Sequence, residues 1–509
     1  MPLVRTTWAL SRALVLGTVL LTGTVVPAAG HPPSPVGKQH GAHPVPAGSP
    51  RPPVSDRDRV YTADQSSDTV TVIDPASDQV LGTIALGSQR LSNTLSPQYT
   101  SDVAVHGLAF SRDSSRLAVV SVTSNTVDIV DTATNRVLTH TDVGRAAHEG
   151  SFTADGREFW VAARGRDTVS IVDAVHGGLL TDVPVGSGPS KVVMSPDGRY
   201  AYINHISLAE ITVVDVRSRT VVGHVTGLGD TFSSDEAISP DGRELWAMHK
   251  RAGTTSVIDL VHRRVTTVLD TGPDTNHANF VDTPSGSYAY LTVGGLDETM
   301  VFRRTAGAPV VVTRIPDSGH APHGIWPSGD GSRLYVGLEK SDAVDVISTA
   351  TNTVIGTVPV GQEPQALVYV PDAAPGGAVP DLGRQGLSQQ GLGQQAHDVP
   401  TVLPDGRPGE TLDPQRGRPL EATVRPVNGL DMLELQARSL TANTTYRATG
   451  VRADGSQVAL LNFSTDAAGN APQVLAFALF DAVRIVIVPA PDAPGTATTM
   501  TMVPDDDCC

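Results

Sequence analysis

The chain has 509 residues, among them 49 glycines and 38 prolines but only two cysteines, the terminal pair Cys508 and Cys509. This cysteine count excludes a disulfide framework, a CxxC redox motif and a cysteine zinc site, so a large buried core has to hold the interior. A formal charge of −16 excludes the basic footprint that a nucleic-acid or anionic-membrane partner requires. Charged residues make up only 18%, and abundant Val, Thr and Gly point to a turn-rich all-β chain.

In chain order, residues 1–30 read as a signal peptide. Arg5 and Arg12 precede the apolar run Ala13–Leu21, and small residues follow at Ala28-Ala29-Gly30; the run is too short for a membrane span. A secreted, extracellular location without a membrane span is therefore expected. Residues 31–56 form a Pro-rich linker carrying His31, His40 and His43, a spacer by composition with weak metal-scavenging capacity.

A repeat of about 40–45 residues, the length of one four-stranded β-unit, then dominates. Alternating strands recur at Thr69–Asp74, Thr126–Asp131, Thr168–Asp173, Ile211–Asp215, Thr255–Asp259, Thr299–Arg303 and Ala343–Ser348. Glycines recur beyond each following strand, at Gly87, Gly144, Gly186, Gly229, Gly272, Gly319 and Gly361. Turns of the Ser-Pro-Asp-Gly kind recur as well, for example Ser195–Gly198 and Ser239–Gly242, with Asp-Gly suited to the φ > 0 position of a tight hairpin. The first unit lacks its first strand, and a matching strand, Gln365–Val370, arrives only after the last unit. The fold predicted is all-β: a seven-bladed β-propeller over 57–371 with 3+1 ring closure, followed by a small β-sandwich. Ser88–Asp102 lengthens one connection and is where a binding loop would sit. Residues 372–399 read as a Gly/Gln-rich linker, 400–490 as the sandwich, and 491–509 as a disordered tail.

These residues carry a resemblance. Tyr335-Val336 in its strand, Val70-Thr71-Val72-Ile73-Asp74 and the Ser195–Gly198 turn resemble the YVTN-repeat seven-bladed propellers, akin in style to surface-layer, lactonase-type and nitrous oxide reductase propellers. The resemblance implies the fold over about 57–371 and leaves function open.

The innermost strand of each blade should line the central channel. Counting five residues back from the turn Ser or Thr places His106, His148, Ser190, Ser234, Ala278 and His323 at equivalent positions, with Gln365 in the closing blade. His277 lies beside Ala278, and His320 lies three residues before His323. His106, His148, His277 and His323, with His320 as a further candidate, are expected to form an arc at the channel mouth, where neutral imidazoles would suit copper, zinc or iron. The arc resembles the histidine-lined face of the nitrous oxide reductase propeller. Ser190, Ser234 and Ala278 break that pattern, and no second domain supplies Cys and Met ligands, which argues against a copper-cluster reductase. Glu149, Lys191, Asp235 and Glu236 are the candidates for a general base and an electrophile. No GxSxG, HExxH, P-loop, dinucleotide or EF-hand pattern occurs, so no nucleotide cofactor is expected. The expected function is an exported binding or interaction scaffold for a protein, cell-wall or small-molecule ligand; the alternative is a metal-binding or lactonase-like enzyme using the histidine-lined mouth.

Overall fold

The computed structural model describes residues 52–87, 103–376, 386–427, 430–478 and 480–490. The leader, His31, His40 and His43, the whole Ser88–Asp102 insertion and the tail with Cys508 and Cys509 lie outside them. Among the described residues, no helix is long and apolar enough to cross a membrane.

Seven antiparallel sheets follow one another, and their innermost strands touch in turn around a ring. Blade 1 contains Arg59–Asp64, Thr69–Asp74 and Gln79–Ala85, and its innermost strand is Pro364–Val370, which pairs antiparallel with Arg59–Asp64. Blades 2 to 7 begin with inner strands Val105–Phe110, Ala147–Phe152, Pro189–Met194, Asp235–Ile238, Thr275–Thr283 and Pro322–Pro327. Middle strands such as Thr69–Asp74 are buried along their whole length because a blade packs on each face, whereas outer strands such as Arg264–Asp270 alternate between covered and exposed. Apolar residues of adjacent blades form shared clusters, for instance Val127 and Ile129 of blade 2 with Phe152, Phe159 and Val161 of blade 3. Trp160 and Trp246 are fully buried in such clusters.

The repeated polar residues shape turns. Ser195, Ser239 and Ser328 donate to Asp197, Asp241 and Asp330 at 2.6, 2.6 and 2.7 Å. Gly198, Gly242 and Gly331 next to those aspartates take φ of +71°, +67° and +71°, which only glycine adopts freely. Asp74, Asp173, Asp215 and Asp259 accept backbone N–H bonds within two or three residues.

Residues from Leu420 to Pro489 form two four-stranded sheets that also recruit His397–Asp398 and Thr401–Val402. They enclose a core of Leu420, Val424, Leu433, Leu435, Ala448, Phe463, Ile485 and Ile487. Of the stretch between propeller and sandwich, Leu387–Ser388 adds a fifth strand to blade 1, and the Ala396 N–H donates to Asp342 at 2.6 Å.

The sandwich docks on the face of the propeller where the inner strands begin, and the contacts are charged. Arg425 of the sandwich, fully buried, pairs with Asp342 of blade 7 at 2.8 Å and with its own Glu434 at 3.3 Å. Lys340 meets Glu421 at 2.6 Å, Arg438 pairs with Asp274 and Glu421, and Arg418 pairs with Asp297.

His320 stands in this interface between Asp297 at 2.9 Å and Asp398 at 2.8 Å. Hydrogen bonds to both carboxylates outweigh partial burial and raise its pKa to about 10. A folded-state pKa above the unfolded value of about 6.5 means that its contribution is complete below that value and lost as pH rises through about 10. The stability difference between wild type and His320→Gln, followed by chemical unfolding, should therefore be largest near pH 6 and vanish by about pH 10.5; a constant difference would contradict the assignment.

Candidate functional site

The head of each inner strand is built alike. The residue two places before the first channel position is left-handed in six blades, at Ala104, Ala146, Gly188, Asp274, Ala321 and Glu363. In blades 2, 3, 4, 6 and 7 the pairing register then slips within three residues. Such a bulge lets two consecutive side chains escape strict strand alternation. Two layers result: His106, His148, Ser190, Ser234, Asn276, His323 and Gln365, and then Gly107, Glu149, Lys191, Asp235, His277, Gly324 and Ala366.

This register corrects the sequence alignment in blade 6. Asn276, not Ala278, is the counterpart of His106, and His277 belongs with Glu149, Lys191 and Asp235. The inner strand of blade 6 runs on to Thr283, so counting back from the turn slips by two residues. His320 is corrected too, since it faces the sandwich interface and not the arc.

The remaining histidines form a row. Ring centroids are 4.2 Å apart for His148 and His106, 6.4 Å for His106 and His323, and 4.6 Å for His323 and His277. The four do not meet as one ligand set. Their anchoring is specific: His148 Nδ1 donates to the Ser190 carbonyl at 3.0 Å, His323 Nδ1 to the Gln365 carbonyl at 2.8 Å, and His106 Nδ1 bonds Gln65 Oε1 at 2.8 Å. Burial holds all four rings neutral, with His277 and His323 lowered to about 3.

The second layer is a charge network. Lys191 Nζ lies 2.8 Å from Glu149 and 2.5 Å from Asp235, and His277 Nδ1 lies 3.3 Å from Asp235. His277 Nε2 is 3.6 Å from Glu149 Oε1. Burial works against ionisation of Glu149, but Lys191 and the nearby imidazoles pull it down to about 2. Burial, opposed by Lys191 and reinforced by Glu149, pushes Asp235 up to about 7. Glu236 is also buried, and burial together with the Asp235 charge lifts its carboxyl well above the usual range.

A cavity of about 500 Å³ lies between this face and the sandwich, lined by Asn276, Lys250 and Glu339 of the propeller and by Gln436, Arg438, Asn470 and Gln473 of the sandwich. The charges of Lys250 and Glu339 reach His323, and that of Lys250 reaches His277. Sequence reasoning missed Gln65, Arg164, Lys250 and Glu339. All four occupy one repeat position, directly after the second strand of a blade, where the other copies have Val122, Ile206 and Gly294. The polar exceptions at that position were the available signal.

Seven sheets around an axis where titratable groups gather place the chain among the seven-bladed β-propellers with a polar channel mouth. Residues 54–358 match the family described as Lactonase, 7-bladed beta-propeller, and the chain belongs to that family. No curated protein matches it by sequence. Among solved structures, the periplasmic gluconolactonase PpgL of Pseudomonas aeruginosa is 18% identical with a TM-score of 0.50, covering 62% of this chain and 99% of that chain. A functionally unknown protein from Desulfotomaculum acetoxidans is 13% identical with a TM-score of 0.51, over 61% of this chain and 97% of that one. Hydrazine synthase of Kuenenia stuttgartiensis is 20% identical with a TM-score of 0.49, over 54% and 92%. At these identities the likeness is one of fold.

Proposed function

We propose that the protein hydrolyses a cyclic ester at the channel mouth, next to the covered cavity that Asn276 lines, with Asp235 as general base and Lys191 as the group that polarises the ester carbonyl. The observation that carries this reading is the buried Glu149–Lys191–Asp235–His277 layer at the channel mouth. A carboxyl that titrates near 7 can accept a proton at neutral pH, and an ammonium already held by two carboxylates needs no rearrangement to meet a developing oxyanion. Water adds to the carbonyl as Asp235 takes its proton. The ring C–O bond then breaks, the proton returns to the leaving alkoxide, and an open hydroxy acid results. Glu149 and His277 keep Lys191 and Asp235 in place. The carboxamides of Asn276, Gln436, Asn470 and Gln473 around the cavity suit a hydroxylated ring, which agrees with the family description and with the sugar lactone named for PpgL.

The test is proton release from five- and six-membered lactones, glucono-lactone among them. Turnover is expected, with a rate that rises through about pH 7 as Asp235 ionises, and Asp235→Asn should lower kcat by roughly 10²–10⁴-fold. Absence of turnover across the panel would sink the proposal and leave the binding-scaffold reading.

A further inference from the structure

We propose that His106, His148 and Glu149 form a binding site for one divalent first-row transition ion. The ligand atoms of these three buried residues lie within 4.8 Å of one another. A backbone carbonyl can only accept, so the His148 Nδ1–Ser190 bond fixes the proton on Nδ1 and turns the Nε2 lone pair inward. Gln65 Oε1 does the same for His106. The result is the outer-sphere arrangement that orients metal-binding imidazoles. Both Nε2 atoms and Glu149 Oε1 are buried without a hydrogen-bond partner, a costly state for three polar atoms unless something else occupies their lone pairs.

The backbone is shaped to bring them together. A Cβ at Gly107 would come within 2.3 Å of the His148 carbonyl and 3.2 Å of Glu149 Cγ, so glycine is what allows blades 2 and 3 to approach this closely. Two imidazoles and one carboxylate suit Zn(II), Fe(II) or Co(II), and three protein ligands leave a position for water. The second group of metal-compatible residues, Glu149, Asp235 and His277, is already occupied by the Lys191 ammonium. This inference shares Glu149 with the hydrolysis proposal, but it is read by metal binding alone, without any turnover assay, so the two can fail separately.

The experiment uses the full untagged chain, with His31, His40 and His43 replaced by Ala, stripped with a chelator and titrated with Zn(II) and with Co(II). One tight equivalent and a cobalt ligand-field band are expected. His106→Ala and His148→Ala should each weaken binding by more than about 100-fold, beyond the roughly 10–100-fold cost of losing an outer-sphere partner. The exposed His140→Ala and His176→Ala should leave it unchanged. Binding below one equivalent, or a tight equivalent indifferent to both ligand variants, overturns the site. Should circular dichroism show those variants unfolded, Gln65→Ala decides: it keeps every ligand and frees His106 Nδ1, so weakening of about 10–100-fold supports the site and unchanged affinity overturns it.

Discussion

Lys191→Met is expected to lower kcat for ester hydrolysis by about 10²–10³-fold, the scale of removing one group that stabilises an oxyanion. The side chains are of similar length, so the change removes charge with little loss of volume. Two effects act together. The carbonyl loses its polarising cation, and Asp235, which Lys191 holds down, moves further above about 7. The rate limb should shift to higher pH as well as drop. Losing the cation from between Glu149 and Asp235 also destabilises the fold, because two buried carboxyls are left to face each other. The double variant Lys191→Met/Glu149→Gln restores the charge balance. Circular dichroism and thermal unfolding should show its stability largely recovered while activity stays low. A double variant that regained activity would mean that Lys191 acts only as a structural counter-ion.

Arg425→Met should cost about 3–5 kcal/mol, the penalty for breaking a fully buried ion pair from one side. Arg425 and Asp342 are both completely buried, and Asp342 also accepts the backbone N–H groups of Glu363 and Ala396. Removing the guanidinium strands Asp342, Glu434 and Glu363 together, and burial already raises the pKa of each. Protonation relieves that repulsion, so the deficit of the variant should narrow as pH falls. Differential scanning calorimetry would report the loss, with the sandwich uncoupling from the propeller before the ring melts. A single transition with an unchanged midpoint would show that the interface does not depend on this ion. Replacing Arg425, Asp342 and Glu434 together with apolar residues of similar size should cost far less than the single change, since a buried charge cluster spends much of its attraction on desolvation.

The propeller was legible because the chain repeats its own evidence. Alternating strands, Asp-Gly turns and closing glycines occur in copy after copy, so an error in one unit is outvoted by the others. The sandwich was legible as a region, 400–490, and its strands occupy His397 to Pro489. The site was half legible: Glu149, Lys191, Asp235 and the histidines stand out as departures from the repeat, yet their grouping does not. Whether His277 falls in the layer of His323 or in that of Asp235 depends on a bulge and a longer strand in blade 6, and neither has a local sequence marker. The docked sandwich was invisible for another reason. Its contacts are single charged residues, Arg425, Lys340, Arg438 and His320, which in sequence look like ordinary surface.

The mixed make-up of blade 1 has a kinetic side. Arg59–Asp64 emerges early, but its inner partner Pro364–Val370 follows about 300 residues later, which at roughly 5–20 residues per second is a wait of about 15–60 s during synthesis. Blades 2 to 7 can each zip from neighbouring segments in that time, whereas blade 1 keeps an unpaired apolar edge until the end. The last events are ordered by the chain itself: closure by Pro364–Val370, the fifth strand at Leu387–Ser388, and then the sandwich over the channel mouth. A buried charge network at the axis is thus walled off only after every blade that supplies it has formed.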